Sequence, residues 1–182
     1  MTTAREAPQE LLRLACAPGP LLERCQFAET AAALASQTSD DDLGYRARMW
    51  LTDLAFTAGA EDCMIASFDW CRAKNAADPA RFPAELEAGP ALVWQFQRVL
   101  KVFGESAHHP VEAGEELLAD LAHHCAVAGL AEGVVVAAAF RHAWATGQLE
   151  RARALAEAFA ALPPTKRGGG SGLPAWELAV FA

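Results

Sequence analysis

The residues of this 182-residue chain with the most chemical reach are five histidines and five cysteines. The histidines come as His108-His109, as His123-His124 followed by Cys125, and as His142. A zinc site needs ligands that converge on one point. Adjacent helical residues point about 100° apart, so His123 and His124 do not face one ion together. Neither HxxxH nor HExxH spacing occurs. The expectation is loop and half-buried histidines, with no metal and no cofactor. Cys16, Cys25, Cys63, Cys71 and Cys125 are odd in number, widely spaced and free of any CxxC. They read as small core residues in a reducing, cytoplasmic setting, and most lie on apolar stripes where a thiol is inert. No GxSxG, Walker loop or GxGxxG is present. The paired carboxylates Glu115-Glu116 and Asp40-Asp41-Asp42 stand at helix starts, where capping and the helix dipole account for them. No catalytic residue emerges, and the expectation is a protein that is not an enzyme.

Charge narrows the partners. The formal net charge is -8, which opposes binding to a nucleic-acid backbone or to an anionic membrane surface. The longest apolar run, 133–140, is closed by Glu132 and Arg141; spanning a bilayer takes about 20 residues. Residues 1–10 show no apolar core after positive charge, so no secretory signal is expected. Hydrophobic residues make up 53% and charged residues 21%, which excludes general disorder. Alanine, leucine and valine dominate and there is a single tyrosine, a composition for helix rather than sheet.

Apolar periodicity and Gly/Pro breaks predict about eight helices. They cover residues 6–17, 21–35, 42–58, a fourth from about 60, a fifth on Leu92, Phe96, Val99 and Phe103, then 111–128, 132–146 and 149–162. The seventh is apolar on nearly every side and is expected to be the most buried. Ala58-Gly59, Ala128-Gly129 and Thr146-Gly147 separate consecutive helices by almost nothing. Such turns make antiparallel neighbours, and their repetition favours a stack of hairpins over a closed bundle.

Over residues 136–164, Ala139 and Phe140 come early, Gly147 falls at the turn, Ala152 and Phe159 follow, and Pro164 closes. Residues 45–79 repeat the order with Leu51, Gly59, Met64, Phe68 and Pro79, and 118–141 fits in the same loose way. This pattern resembles the tetratricopeptide repeat over about one third of the chain. The resemblance implies an all-α, right-handed stack of antiparallel helical hairpins. It further implies a concave groove, lined by the first helix of each hairpin, that binds a protein or peptide. Residues off the apolar stripes of the third, fifth and seventh helices would then face the partner: Arg46 and Asp53, then Gln95, Arg98 and Lys101, then Arg141 and Trp144. Arginine and tryptophan are frequent interface anchors.

The end of the chain changes character. The expected division is a helical domain over 1–162, a Pro/Gly-rich linker over 163–172 and an apolar peptide over 173–182. In that peptide Trp176, Leu178, Val180 and Phe181 form a turn-spaced face or alternate along an extended strand. It would fold back over the eighth helix, serve as a linear motif for a partner or a second copy, or be presented to a modifying enzyme. A tethered tail also allows a domain-exchanged homodimer. Two functions follow: a non-enzymatic protein- or peptide-binding scaffold, or a carrier or precursor whose helical body presents residues 173–182.

Overall fold

The computed structural model describes residues 6–87 and 89–167, which are all-helical apart from a single bridge between Glu85 and Ala91. The helices are α1 (Glu6–Cys16), α2 (Leu21–Gln37), α3 (Asp41–Ala58), α4 (Glu61–Ala77), α5 (Leu92–Glu105), α6 (Val111–Val127), α7 (Glu132–Ala145), α8 (Leu149–Ala161) and α9 (Pro164–Arg167). The first eight start and stop within two residues of the positions expected, wherever a position was expected. The ninth was not expected: it occupies part of the stretch read as a linker. None of these helices is long and apolar enough to cross a membrane.

One turn chemistry recurs. Gly59, Gly129 and Gly147 have φ of 71°, 65° and 76°. After each, the next amide donates back five residues, from Ala60 to Ala55 O, Leu130 to Cys125 O and Gln148 to Ala143 O, at 2.8–2.9 Å. This is the Schellman closure, whose left-handed residue is ordinarily glycine. The turn after α2 closes in the same way, with Asp40 N donating to Ala35 O at 2.9 Å, but Ser39 holds the left-handed position at φ 54°.

The chain packs as two compact units, Met1–Gln95 and Phe96–Ala182. In the first, α1 to α4 pack in sequence order and α1 also reaches α3. Ala28, Ala31, Ala32 and Ala35 of α2 are buried at helical spacing. Their small side chains let α1 and α3 close on them, with Leu12, Leu43 and Ala47 on one side and Ala15, Leu51 and Leu54 on the other. The segment after α4 is tied down at Phe82. The Tyr45 hydroxyl donates to Pro83 O at 2.8 Å, the Tyr45 ring lies 5.2 Å from Phe82, and Asn75 Nδ2 donates to Phe82 O at 2.7 Å.

In the second unit Ala137, Phe140 and Ala143 of α7 meet Ala152, Ala156 and Phe159 of α8. The helix α7 also packs against α6 and α9. From Gly133 to Ala143 none of its residues is exposed, in keeping with its composition; Trp144, near its end, is 45% exposed.

Candidate functional site

In the first unit Arg46 is exposed and Asp53 partly buried. Gln95 corrects the expectation. It is fully buried, and its Nε2 donates to Met49 O at 2.7 Å and Asp53 Oδ1 at 3.4 Å. The reason is spacing. Leu92, Gln95, Phe96 and Val99 are all buried, which is the i, i+3, i+4, i+7 set of one helix face. Gln95 therefore lies on the apolar stripe, bonded to α3 inside the first unit, and cannot face a partner.

In the second unit Arg98 and Arg141 are partly buried, while Lys101 and Trp144 are exposed. A glycine brings their helices together. A Cβ on Gly104 of α5 would stand 2.8 Å from Ala145 Cβ of α7, closer than real Cβ contacts come. Lys101 lies three residues before Gly104 and Arg141 four before Ala145. Residues three and four apart share a helix face, so each cation lies one turn along its own helix from the point where α5 and α7 touch. Arg98 follows one turn further along α5, and Trp144 is adjacent to Ala145. Lys101 Nζ is 3.8 Å from Glu105 Oε1, both well exposed; such a surface pair is worth little.

Next to this seam lies a polar group that sequence reasoning missed. His142 is among the largest fully buried side chains, and neither ring nitrogen makes a hydrogen bond of ordinary geometry, the Val111 backbone being its nearest polar approach besides Glu115. Its Nε2 is 3.6 Å from Glu115 Oε1 of α6. Glu115 in turn accepts two hydrogen bonds from the Arg151 guanidinium of α8. Those bonds hold the Glu115 carboxyl below its ordinary range. Burial pushes the His142 pKa down, opposed in part by the Glu115 charge. The signal in the sequence was the spacing of Val134, Ala138 and His142, four apart and all buried.

The other histidines sit beside aromatic rings or in solvent. His109 stacks on Phe103 at 4.3 Å and His124 tilts on Phe96 at 5.5 Å, while His108 and His123 are exposed. Among the described residues no group of three metal-ligating side chains gathers. Cys71 and Cys125 are buried, Cys25 and Cys63 partly so, and burial pushes all four thiols up. Cys16 departs from the expected core placement and is exposed. Asp40, Asp41 and Asp42 line a polar hollow of about 360 Å³ with Thr38, Ser39 and Arg81. Each carboxylate there is already engaged: Asp40 accepts from Leu43 N at 3.1 Å, Asp41 from Lys74 at 2.5 Å and Asp42 from Arg81 at 2.7 and 2.9 Å. The tail residues Trp176, Leu178, Val180 and Phe181 lie outside the described residues.

Compared with protein-family models, with curated proteins and with solved structures, the chain matches none.

Proposed function

We propose that this protein is a non-enzymatic scaffold of helical hairpins that binds a protein or peptide partner. The observation carrying this reading is the α5–α7 seam of the second unit. Arg98, Lys101 and Arg141 bring positive charge to two helices that touch at Gly104 and Ala145 in a chain whose net charge is -8, and Trp144, next to Ala145, offers an exposed aromatic surface. That combination suits an acidic peptide with an apolar anchor, because arginine and tryptophan give the largest losses when truncated at interfaces.

The hairpin arrangement has its own support. Glu115, in the first turn or so of α6, meets both the start of α8 at Arg151 and the last turn of α7 at His142. The last turns of α5 and α7 meet at Gly104 and Ala145. These contacts are what alternating, antiparallel helices give, with α5 and α7 as first helices and α6 and α8 as second helices. The tetratricopeptide-like, right-handed form of the stack is part of the same proposal.

The test is selection of a displayed random-peptide library against the full-length chain, repeated with Lys101→Glu combined with Arg141→Glu. The wild type should enrich acidic peptides, and the variant should fail to enrich them while keeping its thermal midpoint. Enrichment by both proteins alike would discard this face, and no enrichment by the wild type would discard the reading.

A further inference from the structure

The chain leaves its last described helix at a defined point. The Arg167 backbone lies directly over Gly133 near the start of α7, where a Cβ would stand 2.5 Å from Arg167 O and 2.6 Å from its Cα. The Arg167 side chain turns the other way, donating from Nε to Leu162 O at 2.8 Å and from Nη2 to Ala160 O at 2.7 Å. These are carbonyls at and just beyond the end of α8, so the guanidinium caps that helix. Lys166 adds a 3.4 Å ion pair to Glu132. Beside this anchor the α6–α7 turn exposes two large apolar side chains. Val127 is 74% and Leu130 40% exposed, and they precede Gly133 by six and three residues.

The sequence beyond Arg167 is matched to that patch. Residues 168–172 are four glycines and a serine, and 173–182 carry Leu173, Trp176, Leu178, Val180 and Phe181 with Glu177 as their one charged side chain. We propose that residues 173–182 of the same chain dock on Val127 and Leu130. Reach favours this. A five-residue Gly/Ser stretch has a root-mean-square span of about 12 Å. The turn from Val127 to Gly133 doubles back on itself, closed by Leu130 N donating to Cys125 O at 2.9 Å. The patch is therefore within a tether's length of the exit point. Tethering also favours it over a separate occupant, because a short linker gives millimolar effective concentration. This proposal does not rest on the α5–α7 seam as a partner site.

The experiment compares amide exchange over residues 126–134 in the full-length chain and in a chain ending at residue 172. Each is made with and without Val127→Glu and Leu130→Glu. A segment with Kd of about 0.1 mM at about 1 mM effective concentration protects its site about tenfold. The full-length chain should therefore exchange about tenfold more slowly than the shortened one, independently of protein concentration. The paired glutamates should abolish that difference. In the shortened chain they should leave the thermal midpoint unchanged, since both positions are exposed. Equal exchange with and without residues 173–182 overturns the proposal. Protection that fades on dilution assigns the patch to a second copy and overturns it too.

Discussion

Replacing Gly114 with alanine sets two opposing effects against each other at one atom. Gly114 is buried within α6, and a Cβ there would stand 2.1 Å from His142 Cε1 and 2.6 Å from Nε2. Carbon atoms rest at about 3.5–4 Å, so the imidazole must move by about 1.5 Å. Little room exists for that. The ring is fully buried, and Glu115 stands at its Nε2. Overpacking of this kind costs about 1–3 kcal/mol, and so deep an overlap belongs at the upper end. Alanine in place of glycine inside a helix returns about 1 kcal/mol. The net expectation is a loss of about 2 kcal/mol, or about 4–8 °C in thermal midpoint for a chain of this size.

His142→Ala separates the two effects. Alone it leaves a cavity and costs about 2 kcal/mol, near the low end for large-to-small changes because two nitrogens without an ordinary hydrogen bond leave with the ring. With Gly114→Ala added, the new methyl enters that cavity and the helix gain is recovered. The double variant should then be about 2–3 kcal/mol more stable than the sum of the single changes predicts. Urea unfolding of the four proteins, followed by circular dichroism, measures this. Should Gly114→Ala stabilise the protein, helix propensity has won and the ring is free to move. Additive single effects would show that the two residues do not touch, and the packing argument would be wrong.

Ser39→Gly should stabilise the first unit by about 1 kcal/mol, because a left-handed non-glycine residue costs about 1–2 kcal/mol; an unchanged urea midpoint would refute the strain at φ 54°. Gly147→Ala should do the reverse and cost about 1 kcal/mol, read in the same way. Tyr45→Phe should cost about 1 kcal/mol by leaving Pro83 O without its donor, and should loosen amide exchange in the segment after α4. Acid should weaken the second unit in two steps. With the His142 pKa below its ordinary 6.5, the unfolded chain takes up the proton first, so stability falls as pH drops through that value. With the Glu115 pKa below its ordinary 4.5, its contribution is present above that value and is lost as pH falls through the depressed one. His142→Ala should remove only the first step; a unit that gains stability from about pH 8 to about pH 5 would contradict the His142 sign, and one that gains stability as pH falls below about 4.5 would contradict the Glu115 sign.

What was legible in the sequence followed from local rules. Gly59, Gly129 and Gly147 announced their turns because a left-handed residue is ordinarily glycine. Ser39 did not, because nothing in its type marks φ of 54°. Hydrophobic periodicity placed eight helices, yet misjudged Gln95 by taking polarity as a sign of exposure; its stripe positions, three after Leu92 and four before Val99, carried the better information. The helix α9 has four residues, too few for any periodicity to show, and its place depends on Gly133, which is distant in sequence.

Glycines within helices, near their ends, held the rest of the information. Gly114 and Gly133 lie near the starts of α6 and α7, where alanine still favours the helix over glycine, by up to about 1 kcal/mol. Hydrophobic pattern gives no reason for them. Both are sites of close approach, to the His142 ring and to the Arg167 backbone, and Gly104, read as the start of a loop but lying within α5, is a third, to Ala145. A glycine that costs its helix stability marks where another element comes near, which apolar spacing cannot show. Those three positions locate the buried histidine, the exit of the chain and the α5–α7 seam. The buried histidine, the chain's exit and the contact of α5 with α7 thus each stand opposite a missing side chain.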